Sequence, residues 1–203
     1  MGVWVMSLIP AFELGLWNGW ILSLFMFILI MGLSPLVIRL VYGSSRSKES
    51  SKRHSARPKL NEKEKKLDCL STIILIALLG YSVFLPLNLG TYWFYIGLII
   101  YVISIIFGFA ATIDFARASL DKPATKGIYA ISRNPMYFSM ILIFISISLA
   151  CTSWLYLLLT IIWLILANVV IVAEERLCLE TYGDSYKEYM NRTPRWIGRP
   201  NYN

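Results

Sequence analysis

Runs of apolar residues, each parted from the next by a polar stretch, organise this chain. They cover residues 16–40, 67–87, 92–115, 136–152 and 154–173. A helix needs about 20 apolar residues to cross a bilayer, and only the fourth run falls short of that. It starts behind Pro135, a residue suited to a first helical turn. Only Cys151-Thr152-Ser153 separates it from the fifth, so these two runs predict a tight helical hairpin. The pattern predicts an all-α integral membrane protein with five transmembrane helices, one membrane domain over 1–203. The polar breaks differ in kind. Residues 43–66 form a long basic loop, Asn88-Leu89-Gly90 a short turn, and 116–135 a loop marked by proline and glycine.

Composition agrees with a bilayer. Of the 203 residues, 57% are hydrophobic, more than is usual in soluble domains. The net charge of +7 would suit nucleic acid, but its placement suits a membrane. With five spans, 41–66, 116–135 and 174–203 fall on one side, and 1–15, 88–91 and 151–153 on the other. All 19 Lys and Arg lie on the first side or, for Arg39, in the helical turn leading to it. Ten fall in 39–66, four in 117–133 and five in 176–199. The positive-inside rule then puts the N-terminus outside and the C-terminus in the cytoplasm. No nucleic-acid partner is expected.

Residues 1–15 hold no basic segment ahead of an apolar core, so no cleavable signal is expected. They are expected along the outer interface, with Trp4, Trp17 and Trp20 in an aromatic belt. Gly15 and Gly19 have small-xxx-small spacing, which carries little weight at a membrane edge. Cys69, Cys151 and Cys178 sit at no metal or redox spacing. The single histidine, His54, lies in the basic loop and is expected to be solvated, so no metal site is expected. The loop itself reads as solvated and topogenic, with contact to anionic lipid headgroups as the alternative.

Two stretches carry candidate chemistry. In the first, 122–137, Pro123 fixes the backbone and Gly127 permits conformations closed to other residues. Tyr129 and Tyr137 offer flat faces with a hydroxyl, suited to a nucleoside. Arg133 is a planar donor for a carboxylate or phosphate. Asn134 and Pro135 bring a polar group and a helix N-terminus beside it, where free N–H groups favour an anion. The plainer reading is an inner loop with a topogenic Arg and interfacial tyrosines, and taken alone the residues favour it. In the second stretch, Glu174-Glu175 ends the fifth run. Carboxylates at a helix C-terminus oppose its dipole, so a cation or a set of hydroxyls nearby would explain them; two solvated carboxylates are the plainer alternative. Tyr182, Tyr186 and Tyr189 beyond them predict an amphipathic helix lying against the site or the membrane. Asp114 and Arg117 are either a helical ion pair or part of the site.

Together, Gly127-Ile128-Tyr129, the run 133–137 (Arg-Asn-Pro-Met-Tyr), Glu174-Glu175 and the run 182–189 resemble the isoprenylcysteine carboxyl methyltransferase family. Related phospholipid N-methyltransferases share much of the pattern. The resemblance covers 114–196, and the five-span length is similar to that of minimal prokaryotic or archaeal members. It implies S-adenosylmethionine as cofactor, bound within 114–196. By position, the cradle it implies is Asp121, Lys122, Pro123, Ala124, Tyr129, Asn134, Pro135, Met136, Tyr137, Glu174 and Glu175, with Arg133 and Glu174 as catalytic residues. Two positions depart from the family. Asn134 stands where a His is usual, which keeps a hydrogen bond but cannot titrate. Val170 stands where the eukaryotic enzymes carry an Arg facing the substrate carboxylate.

The implied activity is methyl transfer to the carboxylate of a lipid-modified, prenylcysteine-type substrate, whether a small molecule or a protein. It would take place at the cytoplasmic face of a multi-pass membrane protein, in the plasma membrane if the source is prokaryotic. Phospholipid N-methylation is the nearest alternative. An NADPH-dependent reductase of the sterol-reductase type, with a similar Arg-His-Pro-x-Tyr pattern, is a second. A channel is disfavoured by the near absence of ionisable residues within the spans.

Overall fold

A computed structural model describes residues 7–8, 12–119 and 121–199. Trp4 and Pro10 therefore lie outside the described residues, as does the side chain of His54. The described chain is helical, with two isolated bridges, Ser7 to Ser153 and Asn18 to Pro86, in place of strands. Helix α1 spans Trp20–Phe27 and runs through a π-helical turn, Ile28–Leu33, into α2, Ser34–His54. Then follow α3 (Glu62–Ser82), α4 (Tyr92–Arg117), α5 (Pro135–Ala150), α6 (Trp154–Tyr182) and α7 (Asp184–Arg192).

Three helical stretches are long and apolar enough to cross a membrane: Trp20–Lys52, Tyr92–Arg117 and Trp154–Tyr182. The apolar α5 is shorter, and α3 opens on the charged run 62–68. The outward faces of the long helices are apolar, with Ile99, Ile103 and Ile106 of α4 all more than half exposed. Such a surface suits lipid and not water.

Several boundaries differ from those the pattern predicts. The first helix starts at Trp20 because Asn18 ties down the preceding coil, its Nδ2 donating to the carbonyls of Glu13 (2.6 Å) and Val83 (2.7 Å). Gly15 and Gly19 therefore precede the helix and form no helical packing stripe. The basic segment 43–66 is largely helical, and only 55–61 is not. Gly43, at φ 83°, kinks α2 where its apolar half ends. Asn61 and Glu64 form a reciprocal capping box that starts α3 ahead of its apolar part. Helix α6 does not stop at the acidic pair but continues to Tyr182. Glu174 and Glu175 thus sit in a helix interior, where the C-terminal dipole no longer acts on them.

Small residues let α4 and α5 approach closely. A Cβ on Gly97 would lie 2.7 Å from the Ser146 carbonyl oxygen and 2.9 Å from the Ala150 nitrogen. Ser139 Oγ donates to the Ser104 carbonyl at 2.8 Å. This is the close backbone contact that membrane helices favour. Phe144, Tyr156 and Trp163 fill the core between α5 and α6, with the Phe144 and Trp163 rings edge to face at 5.3 Å.

The connections sort into two ends of the bundle. At one, Ser7 bridges to Thr152 and Trp154, Leu87 to Trp17, and Asn88 to Ala150, all through the backbone. Thr152, with a φ of 50°, makes the α5–α6 turn, and Asn88 Nδ2 donates to its hydroxyl and to the Cys151 carbonyl. At the other end lie the polar segments 55–64, 114–134 and 174–198.

Candidate functional site

The second end is built around Asp114, the last acidic residue of α4. Its carboxylate accepts from the Ile128 N–H at 2.9 Å and pairs with Arg117 at 3.2 Å. Gly127, at φ 63°, packs so closely on Asp114 that a Cβ would fall onto the carboxylate. Asp114 therefore both pairs on its helix and ties down the 3-10 turn Gly127–Ala130. Arg117 in turn donates from Nε to the Tyr42 hydroxyl at 2.6 Å and lies over that ring. Helix α4 is thereby fastened beside the Gly43 kink.

Tyr129 follows from this anchoring. Its ring is 7% exposed and packs with Ala111 and Ala124, 6.1 Å from the Phe115 ring. Ala124 and Met136 belong to the same small cluster. Asp121 and Lys122 stand at the surface, and a hydrogen bond from Ser119 holds the Asp121 carboxyl below its ordinary value.

The acidic pair divides the site in two. Glu175, 4% exposed, accepts from Asn134 Nδ2 at 3.1 Å and from Arg195 at 3.2 and 2.7 Å. Arg133 Nη2 lies 3.6 Å away. One carboxylate thus faces two guanidinium groups. The Nε and Nη1 of Arg133 are buried without a hydrogen-bond partner, an arrangement that is costly unless it is used. Glu174, on the next face of α6, is half-buried and accepts from the Tyr137 hydroxyl at 3.2 Å. It stands within electrostatic reach of Asp68 on α3 and of Arg57. These contacts join 133–137 to the acidic pair, which the sequence places about 40 residues apart.

A strap that carries no periodic signal closes this end. Arg133 N–H donates to the Pro194 carbonyl (3.0 Å) and Gly198 N–H to the Ile131 carbonyl (3.1 Å). Tyr189 donates to the Tyr129 carbonyl at 2.7 Å. Burial pushes the Tyr186 and Tyr189 hydroxyls well above the ordinary tyrosine value, so both stay neutral. The tyrosine spacing predicts one helix over 179–189 against the site or the membrane; Gly183, at φ 55°, breaks that stretch, leaving Tyr182 on α6 and burying Tyr186 and Tyr189 of α7 at this end. The spacing did not point to Arg195, which only the nearby Pro194 marks as a fixed turn. A recess of about 400 Å³ opens between Thr125, Lys126, Gly127, Ala130, Arg192 and Thr193. Among the described residues, no group of His, Cys, Asp and Glu is placed to hold a metal ion.

None of the curated proteins compared matches the chain. Residues 85–185 do match a family model, that of the phospholipid methyltransferases. The match begins ahead of α4 and runs through both acidic residues into α7, so it includes every contact between 133–137 and 174–175. By that match, residues 85–185 are similar to the phospholipid methyltransferase family.

Proposed function

We propose that the protein is an S-adenosylmethionine-dependent membrane methyltransferase acting on the carboxylate of a lipid-modified, prenylcysteine-type substrate. The observation that carries this reading is the joining of Tyr137 to Glu174 and of Asn134 to Glu175 within the matched region. The residues present fit the cofactor. Glu174 has one oxygen on Tyr137 and a second with no hydrogen-bond partner among the described residues, suited to ribose hydroxyls or an ammonium. Arg133 has buried donors unfilled, suited to a carboxylate.

S-adenosylmethionine, when bound, supplies a methyl group already activated on a sulfonium. The reaction exchanges an S–C bond for an O–C bond, returns the electron pair to sulfur and moves no proton. The chain therefore has only to align the partners and exclude water from the acceptor. In this reading Glu174 and Tyr137 hold the cofactor, with Asn134, Pro135, Met136 and Tyr129 around it and 121–124 at its edge. Arg133 and Glu175 brace the loop that carries them.

The gathering of all basic segments at one end supports five spans, with this end in the cytoplasm and the N-terminus outside. A lipid acceptor then enters sideways from the bilayer while the cofactor arrives from water. The description of the matched family is also compatible with a second reading, in which the acceptor is a phospholipid amine. That amine must lose a proton, and in this reading the half-buried Glu174 takes it.

Methyl-labelled cofactor, supplied to the purified protein with N-acetyl-S-farnesylcysteine or with phosphatidylethanolamine, separates these. Label in a base-labile ester supports carboxyl methylation. Label on the phospholipid amine replaces it with the second reading, and label in neither removes both.

A further inference from the structure

One group of contacts at the basic end lies outside the cofactor cradle. Arg176, directly behind the acidic pair, reaches across to the start of α3. Its Nη1 donates to Glu64 Oε1 at 3.1 Å, and its Nη2 to Glu64 Oε2 at 3.0 Å and to the Lys59 carbonyl at 2.9 Å. A two-pronged guanidinium–carboxylate pair fixes direction as well as distance. Glu64 is also held by the capping box with Asn61. The non-helical segment 55–61 is thereby fastened at its far end to the helix that carries Glu174. It brings two cations, Arg57 and Lys59, both exposed. Arg57 stands within electrostatic reach of Glu174 and of the Tyr137 hydroxyl.

We infer that segment 55–61 is the acceptor-side rim of the site, with Arg57 drawing in the anionic group of the lipid acceptor and Arg176 and Glu64 as the positioning pair. The inference rests on the methyltransferase reading. Its physical need is plain. Glu174 and Asp68 present negative charge to this space, and an acceptor carrying a carboxylate or a phosphodiester approaches against it. Cations on the rim offset that repulsion. Val170 offers none from α6, and segment 55–61 supplies one at the rim, outside the buried Arg133. The Lys59 carbonyl accepts from Arg176 at 2.9 Å, and of the two cations it is Arg57 that stands within electrostatic reach of Glu174.

The test uses the full chain in phosphatidylcholine nanodiscs, with two titrations for each variant. S-adenosylhomocysteine reports on the cofactor site. N-acetyl-S-farnesylcysteine and dihexanoyl-phosphatidylethanolamine, each added to the loaded protein, report on the acceptor side and distinguish a carboxylate from a phosphodiester. Arg57→Ala and Arg176→Ala should weaken at least one acceptor probe about fivefold to tenfold and leave S-adenosylhomocysteine affinity unchanged. Arg57→Lys should recover most of the loss. The exchanged pair Arg176→Glu with Glu64→Arg should recover what Arg176→Glu loses. Acceptor affinities indifferent to Arg57→Ala and Arg176→Ala, or native protein that binds neither probe, overturn the inference while leaving the cofactor reading intact. Equal loss of cofactor and acceptor binding in both variants overturns it too, since the clamp would then only support the fold. Native protein that does not bind S-adenosylhomocysteine removes the methyltransferase reading, and this inference with it.

Discussion

Where 12–19, 83–91 and 151–153 meet, the connections are neutral and nearly complete: backbone N–H groups find backbone carbonyls, and Asn18 and Asn88 fill the remaining gaps. At the opposite end Glu175 stands between two guanidinium groups, Arg133 keeps two buried donors empty, and Glu174 leans on one tyrosine. Both ends tie the same helices together and both leave buried polar atoms unfilled, but at the first these are the neutral Tyr81 and Tyr156 hydroxyls, whereas at the second they belong to the guanidinium of Arg133. Unpaired buried donors cost free energy, and a ligand that completes them removes that cost. A buried charged group costs more to leave unfilled than a hydroxyl, so the contrast supports the proposal that the basic end binds a ligand while the neutral end serves stability.

The sharpest way to break that comparison is at its most loaded carboxylate. Glu175→Gln leaves two guanidinium groups without their counter-charge, which costs about 3 kcal/mol for a buried pair losing one partner. A large drop in thermal midpoint in detergent is expected, together with loss of S-adenosylhomocysteine binding. Next comes Gly127→Ala, which puts a side chain at φ 63° and onto the Asp114 carboxylate. It should cost about 1–3 kcal/mol and weaken binding more than its loss of midpoint explains, because Asp114 orders the turn through Ile128. At the neutral end, Asn88→Ala removes two hydrogen bonds. There the expected cost is about 1 kcal/mol, seen in thermal unfolding with binding unchanged.

The smallest effect is on pH. Arg176 holds the Glu64 carboxyl below its ordinary value of 4.5. A depressed folded pKa gives stability that is full above the unfolded value and is lost as pH falls through the folded one. Melting curves should therefore show a small loss below about pH 4.5 that is absent in Glu64→Gln.

Much of this division is legible in the sequence, because bilayer thickness and the charge rule act on long runs and large counts. The short hairpin through Cys151-Thr152-Ser153 and the placing of every cation away from it are of that kind. The meeting of 133–137 with Glu174-Glu175 is also foreseen, though only through the resemblance of two motifs. What escapes the pattern is local or written in the backbone. Hydropathy cannot show that α6 runs on past its acidic pair, since helix continues wherever its hydrogen bonds do. The helical stretch before His54 and the start of α3 depend on a capping box and i,i+3 pairs such as Lys65 with Glu62, which a basic composition conceals. The strap at 193–198 binds largely through carbonyls and N–H groups, so no side-chain period announces it. Arg195 became visible as a partner of Glu175 only once that strap was placed.

The most direct test of the account is a calorimetric titration of native protein and Glu174→Gln with S-adenosylhomocysteine, with NADPH run in parallel. The substitution keeps volume and removes charge. Saturable binding to native protein, at least about tenfold weaker in Glu174→Gln at an unchanged thermal midpoint, and no uptake of NADPH are the predicted results. Equal binding to both proteins, or binding of NADPH alone, contradicts the account.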